Sequence, residues 1–115
     1  MPATLPKSER LSGKTGISAL MSGGRWGYAS HIRYCLRHRE DGSTLNRIMV
    51  SVPKKHFKRA VKRNLLKRRL REAYRTQKDL LKVSGMDILF YYSSTEVADS
   101  SVIRAEMGSI LSGLR

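Results

Sequence analysis

The stretch from Lys54 to Lys78 reads KKHFKRAVKRNLLKRRLREAYRTQK, and its spacing decides the fold. It contains twelve Lys or Arg and one acid, Glu72, with no Gly or Pro to interrupt a helix. The absence of breakers predicts a long helix over roughly Lys58 to Leu81, stopped by Ser84-Gly85. At helical periodicity Asn64, Lys67, Arg68, Arg71, Arg75 and Lys78 fall within an arc of about 100°. Leu66, Leu70, Ala73, Tyr74, Leu80 and Leu81 fall on the opposite arc. One side is apolar and packs on a core; the other is a stripe of cations. Lys62 and Arg69 lie near the edge of the apolar side, where long stems reach out to solvent.

Such a stripe opposes helix formation. Lys58/Lys62, Arg59/Arg63, Arg63/Lys67, Lys67/Arg71 and Arg71/Arg75 are like-charge pairs four apart, each costing a few tenths of a kcal/mol. Cations in the first turn also oppose the helix dipole. A sequence tolerates this when a polyanion neutralises it, whereas an ordinary solvated face mixes signs. The whole chain agrees: 23 Lys and Arg against nine Asp and Glu give a formal net charge of +14 over 115 residues. That excludes an acidic scavenging domain and a near-neutral metabolic enzyme, and points to nucleic acid. An anionic membrane is the weaker candidate, because the non-basic face has no Trp or Phe and strands flank the helix.

Working outward, the coarse order is α-β-β-α-β-α. Ile17, Leu20 and Met21 predict a short helix over Thr15 to Ser22, stopped by Gly23-Gly24. Tyr28 to Arg39 alternates, with Ile32, Tyr34 and Leu36 on one side and His31, Arg33, Cys35 and Arg37 on a basic other side. Arg47 to Val52 is a second strand, ended by Pro53. Asp87 to Tyr92 is a buried-type strand, and Ile103, Met107, Ile110, Leu111 and Leu114 mark a terminal helix. Strand, long helix, strand implies a crossover between parallel neighbours, so the fold class is an α+β sandwich with a split βαβ unit. The length suits a single domain, 14–115, after a mobile N-terminal segment, 1–13. A lone cysteine, Cys35, offers neither a disulfide nor a CxxC pair. With no secretory h-region and no apolar run long enough to span a bilayer, the reading is a soluble, cytoplasmic protein.

No catalytic constellation is expected, and no metal site. His31 and His38 read as strand surface, and His56 as a phosphate contact or an exposed loop residue. Asp87 reads as a residue opening a strand, or else as a carboxylate for a metal or a motif arginine. Trp26 and Tyr28 suit either base stacking or capping the edge of the core. Cys35 reads as a half-buried small hydrophobe.

The pattern Ala60-Val61-x-Arg63-Asn64-x-x-Lys67-Arg68-x-x-Arg71-Glu72, preceded by Lys54-Lys55, resembles the signature of the bacterial ribonuclease P protein component. The resemblance implies a noncatalytic partner of a catalytic RNA. In that family the RNA and its Mg²⁺ remove the 5′ leader of precursor tRNA, one protein per RNA, and the parallel crossover is left-handed. It assigns RNA binding to Lys54, Lys55, Arg59, Lys62, Arg63, Asn64, Lys67, Arg68, Arg71 and Arg75. Two departures stand out. His56-Phe57-Lys58-Arg59 follows the double lysine without the family's Gly, and Ile17 and Met21 stand where the family often has two Phe. Leader binding is expected at Ile17, Met21, Arg25 and Tyr34, with Tyr34 read as either core or cleft. The rival classes are a structural RNA-binding protein of ribosomal type and a protein-only nuclease, the latter weakened by the absence of a carboxylate cluster.

Overall fold

A computed structural model describes residues 9–11 and 14–114; within the first helix the side chains of residues 14–17 and 19 fall outside that description. The elements are α1 (Lys14–Gly23), β1 (Arg25–Tyr28), β2 (Ile32–His38), β3 (Arg47–Ser51), α2 (Ala60–Arg75), a 3₁₀ turn at Lys78–Leu80, β4 (Met86–Tyr92) and α3 (Ser100–Gly113). The sheet order is β1-β2-β4-β3. β3 and β4 are parallel neighbours joined through α2, the crossover expected from sequence. β2 pairs antiparallel with both β4 and β1.

The expected six-element order lacked a strand. Tyr28 to Arg39 is not one strand: Tyr28 closes β1, the first half of a hairpin, and Ile32–His38 forms its second half. The chain reverses at Ala29–His31, where the Ala29 amide donates to the Ile32 carbonyl at 2.8 Å. Gly27 permits the pairing, because a Cβ there would collide with the Tyr34 ring.

Strand alternation gives the sheet two unlike faces. Ile32, Leu36, Ile48, Val50, Met86, Ile88, Phe90 and Tyr92 form the main core with Leu66, Leu70, Ala73 and Tyr74 of α2 and Ile103, Met107, Ile110 and Leu111 of α3. The other face, called the outer face below, is only partly covered. There Cys35 and Leu89 pack with Leu11 and with Leu20 of α1. The basic face expected on the first strand is therefore interrupted by a buried residue, Cys35, whose thiol donates to the Leu20 carbonyl at 3.3 Å. Burial pushes that thiol's pKa up. Gly24 lets α1 fold back this closely, since a Cβ there would meet Cys35 Sγ and the Leu20 carbonyl.

α2 is shorter than its charge pattern suggests. It ends at Arg75, where side chains take over its last carbonyls: Thr76 Oγ1 donates to Glu72 (2.8 Å), and Gln77 Nε2 to Ala73 (3.0 Å) and to Arg104 of α3 (2.8 Å). Lys78, Leu80 and Leu81 thus leave the helical arc, and Leu80 is exposed. Lys58 and Arg59 precede the helix, just after a turn closed by the His56 and Phe57 amides on the Pro53 carbonyl. Phe57, part of the departure from the family pattern, is buried against Tyr92 and anchors that turn. Residues 1–8, 12 and 13 of the expected lead-in lie outside the described residues. Of the rest, Arg10 bridges Ile48 on the free edge of β3, and the buried Glu9 carboxylate accepts from Lys78 Nζ at 3.0 Å.

Candidate nucleic-acid interface

Four apolar side chains of α2 fix its rotation. With Leu66, Leu70, Ala73 and Tyr74 buried, Asn64, Lys67, Arg68, Arg71 and Arg75 emerge together on one flank. Burying each Leu is worth about 2 kcal/mol, enough to outweigh several like-charge pairs. Lys62 and Arg69 lie on the other flank. Arg69 is used structurally, donating from Nη1 to the Ala98 carbonyl at 2.6 Å ahead of α3. Lys62 instead lines a shallow cleft with His56, Lys58, Arg59, Thr95 and Val97.

The ten expected RNA contacts therefore divide. Lys54 and Lys55 are exposed in the turn after β3. Arg59 and Lys62 sit at the start of α2, where no acid and no side-chain cap satisfies the helix terminus. Arg63 folds back, Nη1 donating to the carbonyls of Phe57 (2.7 Å) and Lys58 (2.8 Å). Arg75 pairs with Glu72, whose carboxyl is held below its ordinary range by that guanidinium. Among the described residues, Lys67, Arg68 and Arg71 carry no ion-pair partner and form the open centre of the stripe.

Of the four expected leader contacts, the three whose side chains are described are not brought to one face. Met21 stands on the last turn of α1, 49% exposed, on the outer side of the sheet. The side chain of Ile17 lies outside the described residues. Arg25 and Tyr34 have the opposite parity, opposite Leu36 and Gly27 respectively in the β1–β2 register. Tyr34 packs against the main core, in a cleft shared with His31, Val102, Glu106 and Ile110. The β2 residue that faces α1 is Cys35.

Sequence reasoning did not single out Glu106, and it did not bring Arg33 together with Trp26 and Tyr28. Glu106 of α3 accepts the amides of His31 (2.6 Å) and Ile32 (3.0 Å) and contacts His31 Nδ1 at 2.9 Å, pinning the hairpin turn. His31 is thus a turn residue with a carboxylate partner, not strand surface. Arg33, on the outer face, lies over two exposed rings, its guanidinium carbon 5.4 Å from the Trp26 centroid and 4.9 Å from that of Tyr28. Asp87 pairs with Arg47 at 2.8 and 2.9 Å rather than with a motif arginine, and the bond raises the pKa of Arg47. No group of three or more His, Cys, Asp or Glu suited to a metal ion occurs among the described residues. No helix among them is long and apolar enough to cross a membrane.

Fold and stripe together define a small basic α+β protein that presents a supported cationic helix. The family model for Ribonuclease P matches residues 5–115, and the chain belongs to that family. It is similar to the Ribonuclease P protein component of Porphyromonas gingivalis, 43% identical over 83 residues, covering 70% of this chain and 61% of that protein. The component from Chlorobaculum tepidum is 41% identical over 81 residues, covering 67% of this chain and 53% of that one. The matches thus span less than two thirds of those relatives' length. In fold it resembles the RNase P protein from Thermotoga maritima, with TM-score 0.81 at 23% identity over 93% of this chain and 98% of that one. The Staphylococcus aureus RNase P protein gives 0.78 at 20% identity, covering 91% and 94%.

Proposed function

We propose that this chain is the protein subunit of a cytoplasmic ribonuclease P, which removes the 5′ leader of precursor tRNA. The observation that carries the reading is the unpaired centre of the stripe, Lys67, Arg68 and Arg71, on a helix whose rotation the core fixes. Such a row neutralises successive phosphates of a folded RNA and releases their counterions. Asn64 beside it adds an uncharged donor and acceptor for a sugar or base edge. Membership of the Ribonuclease P family supports reading that RNA as the catalytic RNA of ribonuclease P.

The chemistry belongs to the RNA, with Mg²⁺ held there. Three carboxylates near the two surfaces are already engaged: Glu72 with Arg75, Glu9 with Lys78, and Asp87 with Arg47. The protein's part is to brace the RNA and to hold the single-stranded leader along the outer face of the sheet, beside Met21. Tyr34, on the other face, supports the hairpin from beneath.

The test is a binding comparison between the host's ribonuclease P RNA and ribosomal RNA at matched salt. Tight, saturable binding to the former and only weak, salt-sensitive binding to the latter is expected. Equal affinity for both would return the chain to the structural RNA-binding class.

A further inference from the structure

The outer face carries a device that the motif helix does not use. In the β1–β2 register Tyr28 lies directly opposite Arg33, and Trp26 lies opposite Cys35, on the same face and diagonal to Arg33. Diagonal neighbours of this kind remain within reach of long side chains. Both rings are exposed, Trp26 by 37% and Tyr28 by 68%, so neither serves the core. The Arg33 guanidinium lies within cation–π distance of both rings. Its Nε is buried and has no hydrogen-bond partner. A buried donor left unsatisfied is costly, and its retention asks for a reason.

We propose that Trp26, Arg33 and Tyr28 form a stacking clamp that holds an unpaired nucleotide of the precursor's leader. The proposal rests on the subunit reading above and deepens it. The exposed ring faces offer stacking platforms that accept any base. The planar fork of Arg33, lying over them, presents paired donors to the adjoining phosphate. The row continues across the sheet from Arg33 to Tyr91 and Ser51, giving a strand of RNA a polar path past the clamp. By register, Asp87 is the one carboxylate on the outer face of the four strands, and Arg47 already neutralises it. A second copy of the chain is disfavoured as the occupant by its own charge of +14. The clamp also supplies the aromatic surface that Ile17 and Met21 lack.

Trp26 is the only tryptophan in the chain, so its fluorescence reports on the clamp directly. The experiment uses the reconstituted holoenzyme, titrated with a long-leader precursor and with one lacking a leader. Quenching by the long-leader substrate alone is the expected result. Quenching by both substrates, by the catalytic RNA before substrate is added, or by neither substrate would overturn the clamp. In parallel, Arg33→Ala and Tyr28→Ala should each weaken long-leader binding about tenfold, and leaderless binding much less. Arg33→Lys keeps the charge without the planar fork and should restore only part of the loss; full restoration would reduce Arg33 to a point charge and overturn the proposal. If the wild-type protein fails to assemble with the catalytic RNA, the subunit reading itself fails. Normal assembly with leader-independent variants would sink the clamp alone.

Discussion

α2 and the outer face of the sheet both carry arginines, but they deploy them differently. On α2, Arg68 and Arg71 stand free on a helix held by four buried side chains, with charge spaced one turn at a time. On the outer face, Arg33 lies over two neighbouring rings and one of its donors is sealed from solvent. A row of free cations matches a folded RNA whose phosphates recur at regular spacing, and it pays in salt sensitivity. A clamped guanidinium with aromatic walls matches an unpaired strand, where stacking matters more than charge. The number of arginines alone says little about which RNA a surface meets; their partners distinguish the two.

The largest expected effect breaks the α2 side of this contrast. Arg71→Ala and Arg68→Ala should each cost roughly 1–3 kcal/mol in affinity for the catalytic RNA and lower the salt slope by about one. Filter binding across a salt series measures both. Unchanged affinity and slope in a normally folded variant would remove the stripe from the interface.

Arg63 sharpens the contrast within α2 itself. Its Nη1 holds two carbonyls of the preceding turn, so Arg63→Ala should lower folding stability by about 1–2 kcal/mol. Arg71→Ala should barely alter the urea midpoint. If the two variants unfold alike, the Arg63 contacts contribute nothing to the fold.

Glu106 probes the other surface at a distance. Glu106→Gln keeps the shape but weakens the charged anchor of the hairpin turn, costing about 1 kcal/mol. Leader-dependent binding should fall while catalytic-RNA affinity stays constant. A fall in both would mean that the two surfaces are not independent.

The smallest effect is confined to high pH. Burial, and secondarily the charge of Glu9, push the pKa of Tyr74 from 10.0 up to about 12. Because the folded state binds this proton more tightly, its stabilisation is complete below pH 10 and is lost as pH rises through about 12. Tyr74→Phe should flatten that alkaline loss by on the order of 1 kcal/mol in pH-dependent urea unfolding. An unchanged alkaline profile would contradict the assignment.

Much of the helix layer was legible because its signals are local. The period of Leu66, Leu70, Ala73 and Tyr74 fixed the buried side of α2, and that of Ile103, Met107, Ile110 and Leu111 fixed α3. The parallel crossover followed from strand, helix, strand. The end of α2 was not legible: charge and spacing run on to Lys78, and the helix stops because Thr76 and Gln77 take its carbonyls, partly through a contact with α3. The hairpin was missed because no Asn-Gly or Asp-Gly marks its turn, and Glu106, 75 residues from His31, supplies the anchor instead. That omission hid the clamp: without β1, Trp26 and Tyr28 have no register against Arg33. Tyr34 reads as either core or cleft because alternation puts it with Ile32 and Leu36 but does not say how fully the helices cover that face; it is packed against the main core yet lines an open cleft there.

The central claim is that this chain assists an RNA that does the chemistry. Reconstitution with the host's ribonuclease P RNA at low Mg²⁺ tests it most directly, with precursor-tRNA cleavage as the readout. RNA and protein together should release the leader, with RNA alone slow under these conditions and protein alone inactive. Sustained Mg²⁺-dependent cleavage by RNA-free protein, or no gain when the protein is added to the RNA, would contradict it.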